Sequence, residues 1–215
     1  MSNIKNFLEN IDFKNIISKQ VSEIFDEVSL EIQKNKAKLY MSSQKDSHEI
    51  IEGLKVRPSL LVELANYFKC KNIAEVGTAQ GLQSISFAKC VKESKVYTCD
   101  IIDDRKNLFH EFSNLFFVKG DSKEMYKKIK SQDSLIDLFW IDGAHDHYSV
   151  ITDFLNLLKV SHKDTIWIFD DFDNRFGCFY DISTLINASE ESVVIDLGKT
   201  ASGNPNKIVV CKGLK

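Results

Sequence analysis

Apolar positions recur at helical spacing from Ile4 to about Leu39, at Phe7, Leu8, Ile11, Ile16, Ile17, Val21, Ile24, Phe25, Val28 and Ile32, with charged residues between them. This pattern predicts an amphipathic helical arm over residues 1–40, ahead of a main domain over residues 41–215. Packing against that domain is its expected use; a dimer contact that would make the protein a homo-oligomer, or a lid over a site, is the alternative. The polar break MSSQKD, Met41 to Asp46, opens onto a second helical pattern, Ser47 to Lys69, in which Pro58 marks a kink or restart. Beyond it the periodicity alternates. Strand-like runs NIAEV (72–76), KVYTCD (95–100), LFFVK (115–119), IDLFWI (136–141) and DTIWIFD (164–170) are separated by helical patterns at Leu82–Val91, Asp103–Phe112, Ser122–Ile129 and Tyr148–Val160. Short strands alternating with amphipathic helices predict an α/β fold, a doubly wound Rossmann-like sheet that is mostly parallel and covered on both faces. The final runs, Ser192–Leu197 and Lys207–Cys211, are joined by the polar linker GKTASGNPN, too short for a crossover helix. The last strand is therefore expected to be antiparallel.

Composition narrows the function classes. The 215 residues are 43% hydrophobic, enough for one sizeable core, and the formal net charge of -3 gives no electrostatic support for nucleic-acid or membrane-surface binding. Five scattered cysteines without a C-x-x-C pair argue against a disulfide framework and a thiolate metal site, and point to a reducing, cytoplasmic setting. Charges interrupt the first twenty residues and no run reaches membrane-spanning length.

The chemistry gathers at strand ends. IDLFWI stops at Asp142 and TIWIF stops at Asp170, with Asp171 next and His145 shortly after Asp142 in IDGAHDHY. If the two strands are parallel neighbours, these side chains share the sheet edge where open α/β folds bind ligands. Three converging carboxylates repel unless protons or a cation neutralise them, and oxygen donors suit a hard divalent ion.

A second signal follows the first strand. Glu75-Val-Gly77-Thr78-Ala-Gln-Gly81 leads directly into a helix, a tight glycine turn at a helix N-terminus. Its spacing differs from the dinucleotide fingerprint G-x-G-x-x-G, and no G-K-[ST] of a phosphate-binding loop follows. EVGTAQG resembles the first motif, E/D-x-G-x-x-x-G, of class I S-adenosylmethionine-dependent methyltransferases, and the likeness extends from about Met41 to Cys211. The resemblance implies a seven-stranded sheet with an antiparallel last strand and S-adenosylmethionine as cofactor. It also implies cofactor contacts from Glu75, Gly77, Thr78, Gly81, Asp100 at the end of the second strand, Asp121 and Ser122 after the third, and Asp142. Asp121 and Ser122 equally fit a plain helix cap.

Within that class, WIDGAHDHY with the later FDD resembles the divalent-metal-dependent small-molecule O-methyltransferases of the macrolide-sugar, catechol and caffeoyl-coenzyme A types. The resemblance implies Mg²⁺, or Mn²⁺, on Asp142, Asp170 and Asp171, and His145 as the catalytic base. The acceptor would be a small hydroxylated molecule such as a sugar moiety or vicinal diol. Taken singly, His145 reads more readily as a loop histidine bonded to backbone than as a base, and His147, beside the helix start, reads as structural. His48, His110 and His162 lack an acidic constellation in sequence, and Arg175 and Phe176 read as a surface loop. Two alternatives stand beside this reading: a hydroxylase-like enzyme using the acidic site with iron, and a non-catalytic cofactor-binding or assembly protein.

Overall fold

The computed structural model describes residues 3–34, 48–105, 107–199 and 205–214. The arm folds as α1 (Ile4–Asn10), capped by the Asn3 side chain on the Asn6 amide at 2.7 Å, and α2 (Lys19–Lys34). The expected single helical pattern is thus split by a 3-10 turn at Phe13–Asn15. The MSSQKD break and the middle of the GKTASGNPN linker lie outside the described residues. Helix α3 (His48–Tyr67) runs unbroken through Pro58.

A regular alternation follows: β1 (Asn72–Val76), α4 (Leu82–Cys90), β2 (Lys95–Asp100), β3 (Leu115–Lys119), α5 (Ser122–Ser131), β4 (Ile136–Ile141), α6 (Ser149–Leu157), β5 (Ser161–Phe169), α7 (Cys178–Ala188), β6 (Glu191–Lys199) and β7 (Pro205–Lys212). The seven strands form one sheet in the order β3-β2-β1-β4-β5-β7-β6, in which β7 alone runs opposite to the other six. The antiparallel final strand is as expected from the short linker. Its insertion between β5 and β6 is set by tertiary pairing.

The two-residue strand period divides the core between the faces. Leu138, Trp140, Ile166 and Ile168 point to the side covered by α1 to α4, in one cluster with Ile4, Val21, Ile24 and Leu64. Phe139, Ile141, Trp167 and Phe169 point to the other side, against Met125, Phe154 and Ile182 of α5 to α7. Alternate residues of a pleated strand must face opposite ways, so the apolar runs Leu138–Ile141 of β4 and Ile166–Phe169 of β5 are buried on both faces. The arm packs into the first cluster, with Ile4, Val21 and Ile24 fully buried.

Two elements differ from the sequence pattern. Asp103–Phe112 yields only a 3-10 turn at Asn107–Glu111. Phe109 is its one buried residue, Asp103 pairs with Arg105 at 2.7 Å, and the Arg105 guanidinium lies 3.9 Å from the centre of the Phe117 ring. Without a continuous apolar stripe to bury, tertiary packing does not stabilise a helix there. Conversely, α7 occupies a stretch to which the sequence reading assigns no element; Ile182 and Leu185, one helical turn apart, are its buried stripe. Among the described residues no helix is long and apolar enough to cross a membrane.

Candidate active site

The chain passes outward from β1 to β2 and β3, then returns to β4 on the other side of β1, so β1 and β4 are neighbours at a topological switch point. Ligands of open α/β sheets bind in the crevice outside the carboxyl ends of such strands. The glycine turn leaves β1 at this point, and Asp142 leaves β4 beside it.

Gly77 has φ +96° and Gly81 φ +89°, left-handed values that favour glycine, and a Cβ at Gly77 would overlap the Asp142 backbone carbonyl. The turn is held from the β2 side. The Gly77 and Thr78 amides donate to the Cys99 carbonyl at 2.9 and 3.2 Å, and Asp100 accepts the Ala79 and Ile102 amides at 2.9 and 3.0 Å. Beneath it lies a buried polar chain. The Thr98 hydroxyl lies 2.6 Å from that of Thr78 and donates to Glu75 Oε2 at 2.6 Å. Burial pushes the Glu75 carboxyl up to about 8, against the opposing effect of hydrogen bonds from Thr98 and Ser84. Glu75 and Thr78 therefore support the loop from below.

Asp121 caps α5 by accepting the Lys123 and Glu124 amides at 3.0 and 3.1 Å, and the Ser122 hydroxyl accepts from Asn156 at 3.0 Å. The helix-cap reading of this pair is realised, at the same sheet edge as Asp100, whose carbonyl accepts the Gly120 amide. Gln83, in the first turn of α4, is a residue that sequence reasoning missed. Its side-chain amide is buried and neither polar atom has a hydrogen-bond partner, an arrangement suited to a ligand group. The only sequence signal was its place just after the glycine turn.

At the ends of β4 and β5 the expected acids do converge. One ligand atom each from Asp142, His145 and Asp171 lies within 4.8 Å of the others. His145 Nε2 is 2.9 Å from Asp171 Oδ2 and 3.9 Å from Asp142 Oδ1. Asp171 takes φ +53°, a left-handed turn immediately after the strand. Asp170 is buried and engaged by Arg57, a residue that the sequence reading did not single out. The guanidinium, brought in by α3, also lies 3.7 Å from Asp142, donates to Asn206 Oδ1 at 3.0 Å and stands 5.9 Å from the centre of the Trp140 ring. The second Asp170 oxygen, Oδ1, is buried without a hydrogen-bond partner.

The electrostatics follow from this crowding. Burial, then the Asp170 charge, pushes Asp142 well above the usual carboxylate range, with Arg57 opposing. Burial also raises Asp170, again against Arg57. Desolvation alone would lower the Arg57 guanidinium, but Asp170, Asp142 and Asp171 outweigh it and hold it up. The bond to Asp171 raises His145 in spite of its partial burial. Crowded and partly buried carboxylates, an orphaned Asp170 oxygen and an adjacent imidazole are a donor set that a divalent cation fits.

His147, two residues on, instead bonds the buried Asp181 at 3.0 Å, and its ring stacks on Tyr148 with centroids 3.8 Å apart. His162 bonds Asp137 at the opposite edge of the sheet, far from these strand ends. Phe176 packs edge-on against His145 at 5.3 Å, so this part of the loop after β5 lines the acid cluster.

Comparison with known proteins shows what this geometry is similar to. An O-methyltransferase from Bacillus cereus in complex with SAH superposes with a TM-score of 0.66 at 17% identity, over 88% of this chain and 90% of that one. The O-methyltransferase TomG from Streptomyces achromogenes, involved in tomaymycin synthesis and solved with SAM, gives 0.69 at 13% identity over 90% of each chain. At these identities the likeness speaks for the fold. No curated protein matches the sequence. The family model described as a methyltransferase domain matches residues 74–172, a stretch that begins within β1 and ends just past Asp171. The matched segment, a little under half of the chain, takes in both the glycine turn and the acid cluster, and over it the chain is similar to methyltransferase domains.

Proposed function

We propose that this protein is an S-adenosylmethionine-dependent O-methyltransferase that uses a divalent cation, Mg²⁺ or Mn²⁺, to methylate a hydroxyl of a small molecule. The observation that carries the reading is the meeting of the glycine turn and the acid cluster at the β1–β4 switch point, where Gly77 abuts Asp142. S-adenosylmethionine, when bound, supplies a methyl group on a positively charged sulfur. Gly77 and Gly81 would let it approach the backbone, Asp100 and the exposed Ile101 and Ile102 would flank its nucleoside, and Gln83 would meet a polar group.

Asp142, Asp171 and Asp170, the last through its free Oδ1, would hold the cation, which when bound lowers the pKa of an acceptor hydroxyl. His145 is the base. A neutral ring that donates from Nε2 to Asp171 keeps Nδ1 to accept the hydroxyl proton, and Asp171 orients the ring and stabilises the imidazolium that results. Partial exposure of His145 lets that proton pass to solvent. The five free thiols fit a cytoplasmic setting.

The test is ligand binding. Titration with S-adenosylmethionine is expected to raise the melting temperature saturably, whereas no shift and no heat of binding at millimolar ligand would defeat the cofactor assignment.

A further inference from the structure

Arg57 is a fixed positive charge inside a site whose other charged groups are acids. A guanidinium does not deprotonate in a protein, and this one is held from four sides, by Asp170, Asp142, Asn206 and the face of Trp140. Its carrier is α3, an element outside the β4 and β5 strand ends that bear the acids. Three carboxylates at full ionisation and one guanidinium leave a formal charge of two minus, the amount that one divalent ion cancels. Without the guanidinium the same carboxylates would present three minus.

We propose that Arg57 is the resident counter-cation of the acid cluster, which neutralises Asp170 when no ion is bound and weakens divalent-cation binding so that the ion remains exchangeable. This rests on the divalent-cation reading of the site. Arg57 acts on the ion through Asp170 and through charge repulsion, and is a positioning residue. Two like-signed ions a few ångströms apart in a partly buried site repel strongly, so removing the guanidinium charge is expected to tighten binding even though it removes a contact.

The full-length protein with Mn²⁺ alone as probe provides the test, free Mn²⁺ being counted by its paramagnetic resonance signal. Arg57→Gln, which keeps an amide donor for Asp170, and Arg57→Met are expected to lower the Mn²⁺ Kd by about ten-fold or more, while Arg57→Lys, which keeps the charge, stays near the wild-type value. A merely structural Arg57 would give weaker binding in the Gln variant, or the same, and either result overturns the proposal while leaving the divalent-cation reading intact. Equal tightening in the Lys variant also overturns it, because charge would then not be the cause. Absence of Mn²⁺ binding in the wild type and all three variants removes the divalent-cation reading, and the proposal with it. Binding in the neutral variants but not in the wild type overturns the proposal as well, because the natural chain then holds no exchangeable ion. Arg57→Gln decides the matter if Arg57→Met does not fold.

Discussion

Gly77 and Asp142 meet backbone to backbone across the β1–β4 switch point: the turn at φ +96° runs so close to the Asp142 carbonyl that a Cβ would overlap it. The glycine turn and the acid cluster are thereby fixed relative to each other by main chain, without a side-chain intermediary.

Gly77→Ala is therefore expected to force the two loops apart. The clash is with backbone, which cannot rotate away, and the left-handed φ adds strain for any residue with a Cβ. Stability should fall by roughly 2 kcal/mol or more, with S-adenosylmethionine affinity lost in whatever fraction remains folded. Chemical denaturation and calorimetric titration read the two effects; a variant with wild-type stability and affinity would mean that the contact is not maintained in solution.

Glu75 predicts a pH dependence. Its native carboxyl is raised to about 8 from an ordinary 4.5, so the folded state holds the proton more tightly than the unfolded chain. Its contribution to stability is fully present below about 4.5 and is lost as pH rises towards about 8, on the order of a few kcal/mol across the window. Glu75→Gln should flatten that slope in the cofactor-free protein. Denaturation midpoints that fall equally with pH in both proteins would assign the slope to another group.

Gln83 carries a buried side-chain amide with no partner. Gln83→Leu removes the desolvation cost and is expected to raise the stability of the cofactor-free protein by ~1 kcal/mol while weakening S-adenosylmethionine. Tighter or unchanged cofactor binding would assign the amide no role in the site.

His145→Ala should lower turnover by roughly a hundred-fold or more with little change in S-adenosylmethionine affinity, because its contribution is made only as the acceptor proton leaves. Turnover at the wild-type level on an authentic acceptor would remove the base assignment.

Chelation should abolish turnover, and Mg²⁺ or Mn²⁺ should restore it. Since Asp142, Asp170 and Asp171 repel one another, the ion should also raise the melting temperature. Activity indifferent to chelator would rule out the cation as a participant.

Much of this was legible in the chain because buried parallel strands write themselves as apolar runs. NIAEV, KVYTCD, LFFVK and IDLFWI became strands with the expected bounds, and the acids that end β4 and β5 converged as strand adjacency required. The boundary of β5 slipped to Ser161, because Ser161 pairs with Ile136 of β4 ahead of a register shift, a backbone pairing that leaves no apolar signal. Helix α7 went unassigned because its polar N-terminal flank masks a short stripe. Arg57 gave no signal at all: an arginine before a proline on a helix looks like surface.

By itself the sequence determined the alternation of elements, the glycine turn and the identity of the acids at the strand ends, since each depends on local periodicity or on a residue's own conformational range. Only the tertiary structure decided that β7 inserts beside β5, that Gly77 abuts Asp142, and that Arg57 reaches Asp170 from a helix more than a hundred residues earlier. Those contacts arise from long-range packing and charge pairing. No local pattern encodes them, because the partners become neighbours only when the sheet has formed.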